Sequence, residues 1–218
     1  MCSAFLKEPQ SNTKQQGFLK ISAKKAKKPV SRISQGDIFE DITIIEDIEI
    51  EKSVIRVKKI SFPYVVCLNQ ECDLESDFKK NSEKQRDLES DSKKNSEKQC
   101  DSNLLHLAIA PAFIFEQFLS GSHWGDIFEN NIPQKRGDSI IKKIVQNEIP
   151  RYHYLYFPKD SMPELIIDFK HFFTINRAVL YSNIGKRLCS LDDLFREKIN
   201  QRFSYFISRI GLPEHLVS

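Results

Sequence analysis

Seven glycines in 218 residues are too few and too scattered for a phosphate-cradling loop, and neither GxGxxG nor a P-loop occurs. HExxH and GxSxG are also absent, which excludes the common zinc-hydrolase and nucleophile-elbow signatures. The five cysteines (Cys2, Cys67, Cys72, Cys100 and Cys189) are odd in number, widely spaced and never paired as CxxC. That pattern argues against a disulfide scaffold and a structural zinc site, and for reduced thiols. No stretch approaches the ~20 apolar residues needed to cross a bilayer. The N-terminus also lacks the roughly 7–15-residue apolar core of a secretory signal. A cytoplasmic chain without metal or cofactor is the expectation.

An excess of charge of one sign is lacking too, since the net charge is +3. The local balance says more. Residues 1–36 hold Lys7, Lys14, Lys20, Lys24, Lys25, Lys27, Lys28 and Arg32 against the single acid Glu8. That surplus of seven leaves the remainder of the +3 chain at about −4. Residues 1–35 therefore read as a disordered basic arm suited to nucleic acid or an acidic protein partner. Residues 36–218 read as a single α+β domain. Hydrophobic residues make up 40% of the chain and include sixteen phenylalanines, enough to bury a core.

Strands are predicted where β-branched residues recur. Ile38, Ile42, Ile44, Ile45, Ile48 and Ile50 mark the first, and 53–61 the second, with a turn at Glu51-Lys52. The continuous apolar run Phe62–Leu68 has the length of a strand buried on both faces. A tandem repeat follows: CDLESDFKKNSEKQ (72–85) is copied as RDLESDSKKNSEKQ (86–99). Seven bases nearly cancel eight acids across the two units, and Leu74, Phe78 and Leu88 are the only large apolar side chains. A solvated insertion over about 74–102 is the expectation, as a loop or an exposed helix, because loop closure grows only logarithmically with length.

Further strands are expected at 104–110 (ending at Pro111), 151–157 and 164–170, with Phe172–Ile175 continuing the last or beginning its partner, and short helices at 113–119, 124–130 and 138–147. A closing helix starts from Ser190 as cap and carries Leu194, Phe195, Ile199, Phe203, Phe206 and Ile207 as an apolar stripe. Gly211 and Pro213 end it. Strands, short helices, then strands and a covering helix indicate α+β with a mainly antiparallel sheet.

Two resemblances bear on this order. Gly36-Asp37-Ile38, followed by Pro63-Tyr64-Val65-Val66-Cys67-Leu68, resembles the opening of the MazF/PemK-like toxins, which implies an SH3-like barrel. Phe62 stands where that family carries a functional arginine, so the resemblance does not extend to ribonuclease activity. The segments Asn69–Leu74, Arg151–Leu155 and 201–213 together resemble uncharacterised bacterial proteins. A toxin–antitoxin or phage-defence setting is what these resemblances imply.

Candidate site residues fall in three places. Gln70, Cys72 and Asp73 end the apolar strand at the repeat, where polar groups sit on rigid backbone yet reach solvent. Their plain alternative is backbone bonding at a strand-to-loop turn. A cysteine nucleophile at Cys72 needs His106 or His153 brought to it. Arg151 and His153, alternating with tyrosines, suit stacking of a base and clamping of a phosphate, or else the rim of an ordinary core. Asp168 lies in the apolar segment 165–169, and Arg202 on the last helix is the expected partner of a structural ion pair. The leading expectation is a non-enzymatic binding module for protein or nucleic acid with no catalytic residue assigned. The rival is a barrel-fold nuclease using Asp73, His153 and Arg151.

Overall fold

The computed structural model describes residues 31–51, 54–89, 104–125, 135–157 and 162–208. Seven strands are assigned among them: β1 (Asp37–Glu51), β2 (Val54–Cys67), β3 (His106–Ile114), β4 (Tyr152–Leu155), β5 (Leu165–Asp168), β6 (Phe173–Asn176) and β7 (Arg187–Ser190). The helices are α1 (Glu71–Glu89), α2 (Phe115–Ser120), α3 (Asp138–Val145), α4 (Arg177–Ser182) and α5 (Asp193–Ile207). The strand order is β4-β5-β3-β2-β1-β7, with β6 pairing the first half of β3. Every ladder among the described residues is antiparallel, so the fold is α+β with an open, mainly antiparallel sheet. No helix among them is long and apolar enough to cross a membrane.

The segment Val65–Leu68 is apolar throughout because both of its faces are covered. Val66 and Leu68 pack with Ile38, Ala110 and Ile167 beneath Ile199 and Phe203 of α5. Val65 and Cys67 pack on the opposite face with Phe39, Ile109, Leu74 and Leu180. Strict alternation thus assigns neighbouring residues to two different cores. A third cluster joins Phe113 and Phe118 to Ile144 of α3 and Tyr152 of β4.

Two prolines lie inside strands that the sequence reading interrupts at them. β2 is one strand from Val54 onward, with Pro63 within it, and β3 passes through Pro111. Each proline sits at a gap in the hydrogen-bond ladder. Leu68 N–H donates to Ala108 O, so the even pairs of β2 with β3 are the bonded ones and Pro111, opposite Val65, turns its nitrogen away from β2. On that other edge β6 reaches only Ile109 and β5 begins at Ala112, leaving 110 and 111 unpaired. Pro63 faces Asp41, which has φ 49° and is skipped between the Glu40–Tyr64 and Ile42–Phe62 pairs. A missing N–H removes no ladder bond at either place. Farther along β1 a bulge at Glu46 absorbs one residue: Ile45 pairs with Lys59, and the next pair is Asp47 with Lys58.

Several boundaries differ from expectation. The fold takes in the last residues of the supposed arm: Ile33, Ser34 and Gln35 are buried, while residues 1–30 lie outside the described ones. The start of the repeat is solvated on one side only. It forms α1, whose Leu74 enters the core and whose Asp77, one turn on, is also buried. Asp77 accepts from Arg177 Nε at 2.5 Å and from Leu104 N–H at 3.1 Å, so this one acid ties the repeat to α4 and to the approach to β3. Residues 90–103 of the expected insertion fall outside the described residues.

Helix α5 is capped by Asp192, whose side chain accepts from Leu194 N–H, and not by Ser190, which belongs to β7. Leu194 and Ile207 of its predicted stripe are exposed, and Ile199 and Phe203 carry the burial. The sequence pattern predicts neither helix α4 nor strand β7. Around 122–124 only a single 3-10 turn forms, and 126–134 lie outside the described residues.

If the repeat start is structural, Leu74→Ala should lower the unfolding free energy by about 2–5 kcal/mol, as for other buried leucines. Urea titration measures it. A loss near zero would mean that α1 does not pack.

Candidate functional site

The chain enters the sheet through a tight turn. Gly36 has φ 73°, Asp37 N–H donates to Ser34 O at 3.1 Å, and Gly36 N–H donates to Cys67 O at 2.9 Å. A Cβ at Gly36 would lie 3.0 Å from Cβ of Arg196 and 3.3 Å from that of Leu191, so space and conformation both call for glycine. The turn is thereby pressed between the end of β2 and the start of α5.

Asp37, fully buried, fastens it. Oδ2 accepts from Ser34 N–H at 2.8 Å and from Arg187 Nη1 at 2.9 Å, and Oδ1 accepts from the Ser190 hydroxyl. Burial pushes the Asp37 carboxyl above its ordinary value, against the pull of the Ser190 and Arg187 bonds. Arg187 also donates to the Arg32 carbonyl, so β7 holds the turn from both ends.

Glu71, the first residue of α1, completes the junction. It accepts from Gln35 N–H at 2.9 Å and from Arg32 Nη2, and it lies 3.4 Å from Arg196 Nη1. Arg196 in turn pairs with Asp193 at 2.9 Å. Asn69 just before α1 accepts from Ala108 N–H at 2.7 Å and fixes the end of β2 against β3. Start of β1, end of β2, start of α1, β7 and start of α5 meet here.

Donors outnumber acceptors in this junction. The side-chain amide nitrogen of Gln35 (3% exposed), Nε of Arg32, and Nε and Nη1 of Arg196 make no hydrogen bond among the described residues. The Ser34 hydroxyl is likewise unmatched. The Arg32, Arg196 and Glu71 side chains keep 20%, 13% and 20% exposure, so the edge of the cluster meets solvent while the unmatched nitrogens themselves are buried. Buried donors without acceptors are costly, and an oxyanion is the group that would satisfy several together.

The sequence-predicted residues separate into two regions. Gln70, Cys72 and Asp73 are exposed beside this junction; the Cys72 thiol donates to Gln70 Oε1 at 3.7 Å and to Asp73 Oδ1 at 3.6 Å. Arg151 and His153 belong to the β4 side, with β3 and β5 between that strand and β2. They share no site with Asp73.

The expected Asp168–Arg202 pair does not form. Arg151 precedes Tyr152, the register partner of Asp168, and its fork reaches that carboxylate at 2.8 Å and 2.6 Å. Arg202 instead donates to the carbonyls of Asn147, Ile149 and Tyr152, pinning α5 to the segment that leads into β4. His171, which no sequence pattern singles out, lies 4.0 Å from Asp168 and packs edge-on to Trp124.

Comparison with protein-family models, curated proteins and solved structures gives no match. The site therefore has to be read from its own chemistry. Among the described residues no group of three or more His, Cys, Asp or Glu is placed to hold a metal ion. His153 is 1% exposed, its ring nitrogens have no partner among the described residues, and burial lowers its pKa to about 3, helped by Arg202 and Lys198. It is a neutral core residue that meets neither solvent nor Asp73. Gln35, Glu71, Arg32 and Arg196 are not legible as a site in the sequence because their meeting depends on bonds between residues 36 and 39 positions apart. The one local hint is the Gly36-Asp37 pair opening a strand.

The buried His153 ring gives a pH signature. An unfolded chain protonates it near its ordinary value of 6.5, and the folded chain not until about 3. Its contribution to stability is complete above pH 6.5 and is lost as pH falls toward 3, at up to about 1.4 kcal/mol per pH unit. His153→Leu should remove that slope while keeping the fold at pH 7. Urea unfolding between pH 4 and 7 checks this, and an unchanged slope would place the imidazole in contact with water.

Proposed function

We propose that this chain is a non-enzymatic binding module that takes nucleic acid, with the junction of Arg32, Gln35, Glu71 and Arg196 receiving a backbone phosphate. The surplus of unmatched donors carries the reading. Arg32 and Arg196 present guanidinium nitrogens that Glu71 and Asp193 leave unmatched, and the Gln35 side-chain amide adds a neutral donor at the same junction. A phosphate supplies several acceptor oxygens and negative charge. Gln70, Cys72 and Asp73 then line the rim.

Chain connectivity favours nucleic acid over an acidic protein segment. The seven lysines of residues 1–30 precede Arg32 in the sequence, and a polyanion is the ligand whose charge such a basic run would complement. A toxin–antitoxin or phage-defence role, suggested by resemblance, is compatible with such binding. The nuclease reading has no comparable support, since its three residues do not meet.

Three variants separate specific contact from general charge. Gln35→Glu adds a carboxylate to the junction and should weaken binding of labelled single-stranded RNA or DNA at least about tenfold, the scale of one charge-assisted bond. Gln35→Ala should weaken binding but leave the salt dependence unchanged, because it removes no charge. Deleting residues 1–28 should flatten that dependence, by about 0.7 in log–log slope for each single-strand phosphate that the lysines no longer neutralise. Fluorescence anisotropy across a salt series measures all three, and gel analysis should find the strands uncut with or without magnesium. Full affinity in Gln35→Glu, or no binding at about 50 mM salt by about 10⁻⁴ M protein, would refute the proposal.

A further inference from the structure

The donors of the junction close on a carboxylate that the chain itself supplies. Glu71 Oε1 accepts from Arg32 Nη2, and Oε2 accepts from the Gln35 backbone N–H at 2.9 Å and lies 3.4 Å from Arg196 Nη1. Two guanidinium groups and a backbone N–H converging on two oxygens are the partners that an external oxyanion would take. The match is incomplete. Nε of Arg32, Nε and Nη1 of Arg196, the Gln35 amide nitrogen and the Ser34 hydroxyl stay buried without a hydrogen bond among the described residues. A carboxylate presents two oxygens in one plane, whereas a phosphate directs its oxygens to the corners of a tetrahedron and can reach donors outside that plane.

The rest of α1 has attachments of its own. Leu74 is buried in the core, and Asp77 accepts from Arg177 Nε and from Leu104 N–H. Leu74 N–H donates to Gln70 O, so the first turn closes through the backbone. The Glu71 side chain keeps 20% exposure, and Gln70, Cys72 and Asp73 around it are exposed. A change of Glu71 rotamer therefore carries its carboxylate into water while the helix stays docked.

We infer that Glu71 is an internal ligand of the phosphate site: its carboxylate occupies the place of the anion, and binding exchanges one for the other. The inference rests on the phosphate-binding reading and supplies its route of entry, because departure of the Glu71 side chain opens the buried donors. The exchange also sets affinity and selectivity. A site holding its own carboxylate binds an external anion in proportion to the fraction of time it is vacant. An acidic peptide offers the arginines the same group as Glu71 without the advantage of a tether. A phosphate brings oxygens that Glu71 lacks, so the occupied site favours nucleic acid over acidic protein.

The test is binding of labelled single-stranded RNA, followed by fluorescence anisotropy, to the full chain and three variants. Glu71→Gln removes the competing charge and should bind at least about tenfold tighter than wild type, as for a site vacant about a tenth of the time or less. Glu71→Asp keeps the charge on a shorter side chain, which draws the carboxylate back from the arginines. It should also bind tighter, a gain that loss of negative charge would not explain. Glu75→Gln removes the same charge one turn along, from a carboxylate that Lys79 holds at 2.8 Å, and should change affinity by about twofold or less. Equal or weaker binding in either Glu71 variant, with the wild type binding and Gln35→Glu impaired, would make Glu71 a fixed clamp on the arginines. The phosphate site would then stand and the internal ligand would fall. An equal gain in Glu75→Gln would assign the effect to overall charge and overturn the inference. Failure of wild type and Glu71→Gln alike to bind would overturn both readings.

Discussion

The carboxylate of Asp37 is the group on which the junction depends. It is fully buried and raised in pKa, yet it is held by a backbone N–H of the entering turn and by a hydroxyl and a guanidinium of β7. A carboxylate so placed tolerates burial only while every partner stays in position. Its bond to Ser190 accompanies the β1–β7 pairing, and its bond to Arg187 draws in the Arg32 carbonyl. The Gly36 turn is then directed against Cys67 and Arg196, which sets Gln35 beside Glu71. The polar cluster is a consequence of how the first strand is anchored.

The sheet reuses its own irregularities in a similar way. Pro63 and Pro111 fall where the ladders already have gaps, one opposite a residue of positive φ and the other between β5 and β6. The 3-10 turn Phe169–His171 that fills the latter gap lets one edge of β3 serve two short strands. Asp168 at its start accepts from Lys170 N–H and holds Arg151 at the same time. The charged side chains of the β4 region are thus occupied in keeping the interrupted strand in register.

The fold class is legible in the sequence because it rests on local patterns. Val65 to Leu68 have to be covered on both faces, and the apolar positions Ile199 and Phe203 have to lie on one side of a helix. The elements that do not show in the sequence lack such a pattern. Strand β7 is four residues, Arg187-Leu188-Cys189-Ser190, too short and too polar for its alternation to stand out, and Ser190 resembles a helix cap because a hydroxyl serves either purpose. Asp168 does need a cation, as its apolar neighbours imply, but sequence offers no way to rank Arg151 above Arg202 before the register is known. The repeat misleads for a related reason. Its polar composition suggests solvation, whereas burial of Leu74 and Asp77 follows from adjacency to β2 and α4, which position in the chain confers.

The bulge at Glu46 carries an implication for how this chain can vary. Adding or removing one residue in a strand ordinarily turns every later side chain to the opposite face. Within the β1–β2 pair such a change would move Ile48 and Ile50 to the face now held by Asp47 and Glu49. Glu46 is the exception, because the register passes from Ile45–Lys59 directly to Asp47–Lys58. Losing that one codon would straighten the pair and leave both faces as they are, so a homologue shortened by one residue at this place would keep the same pattern of faces.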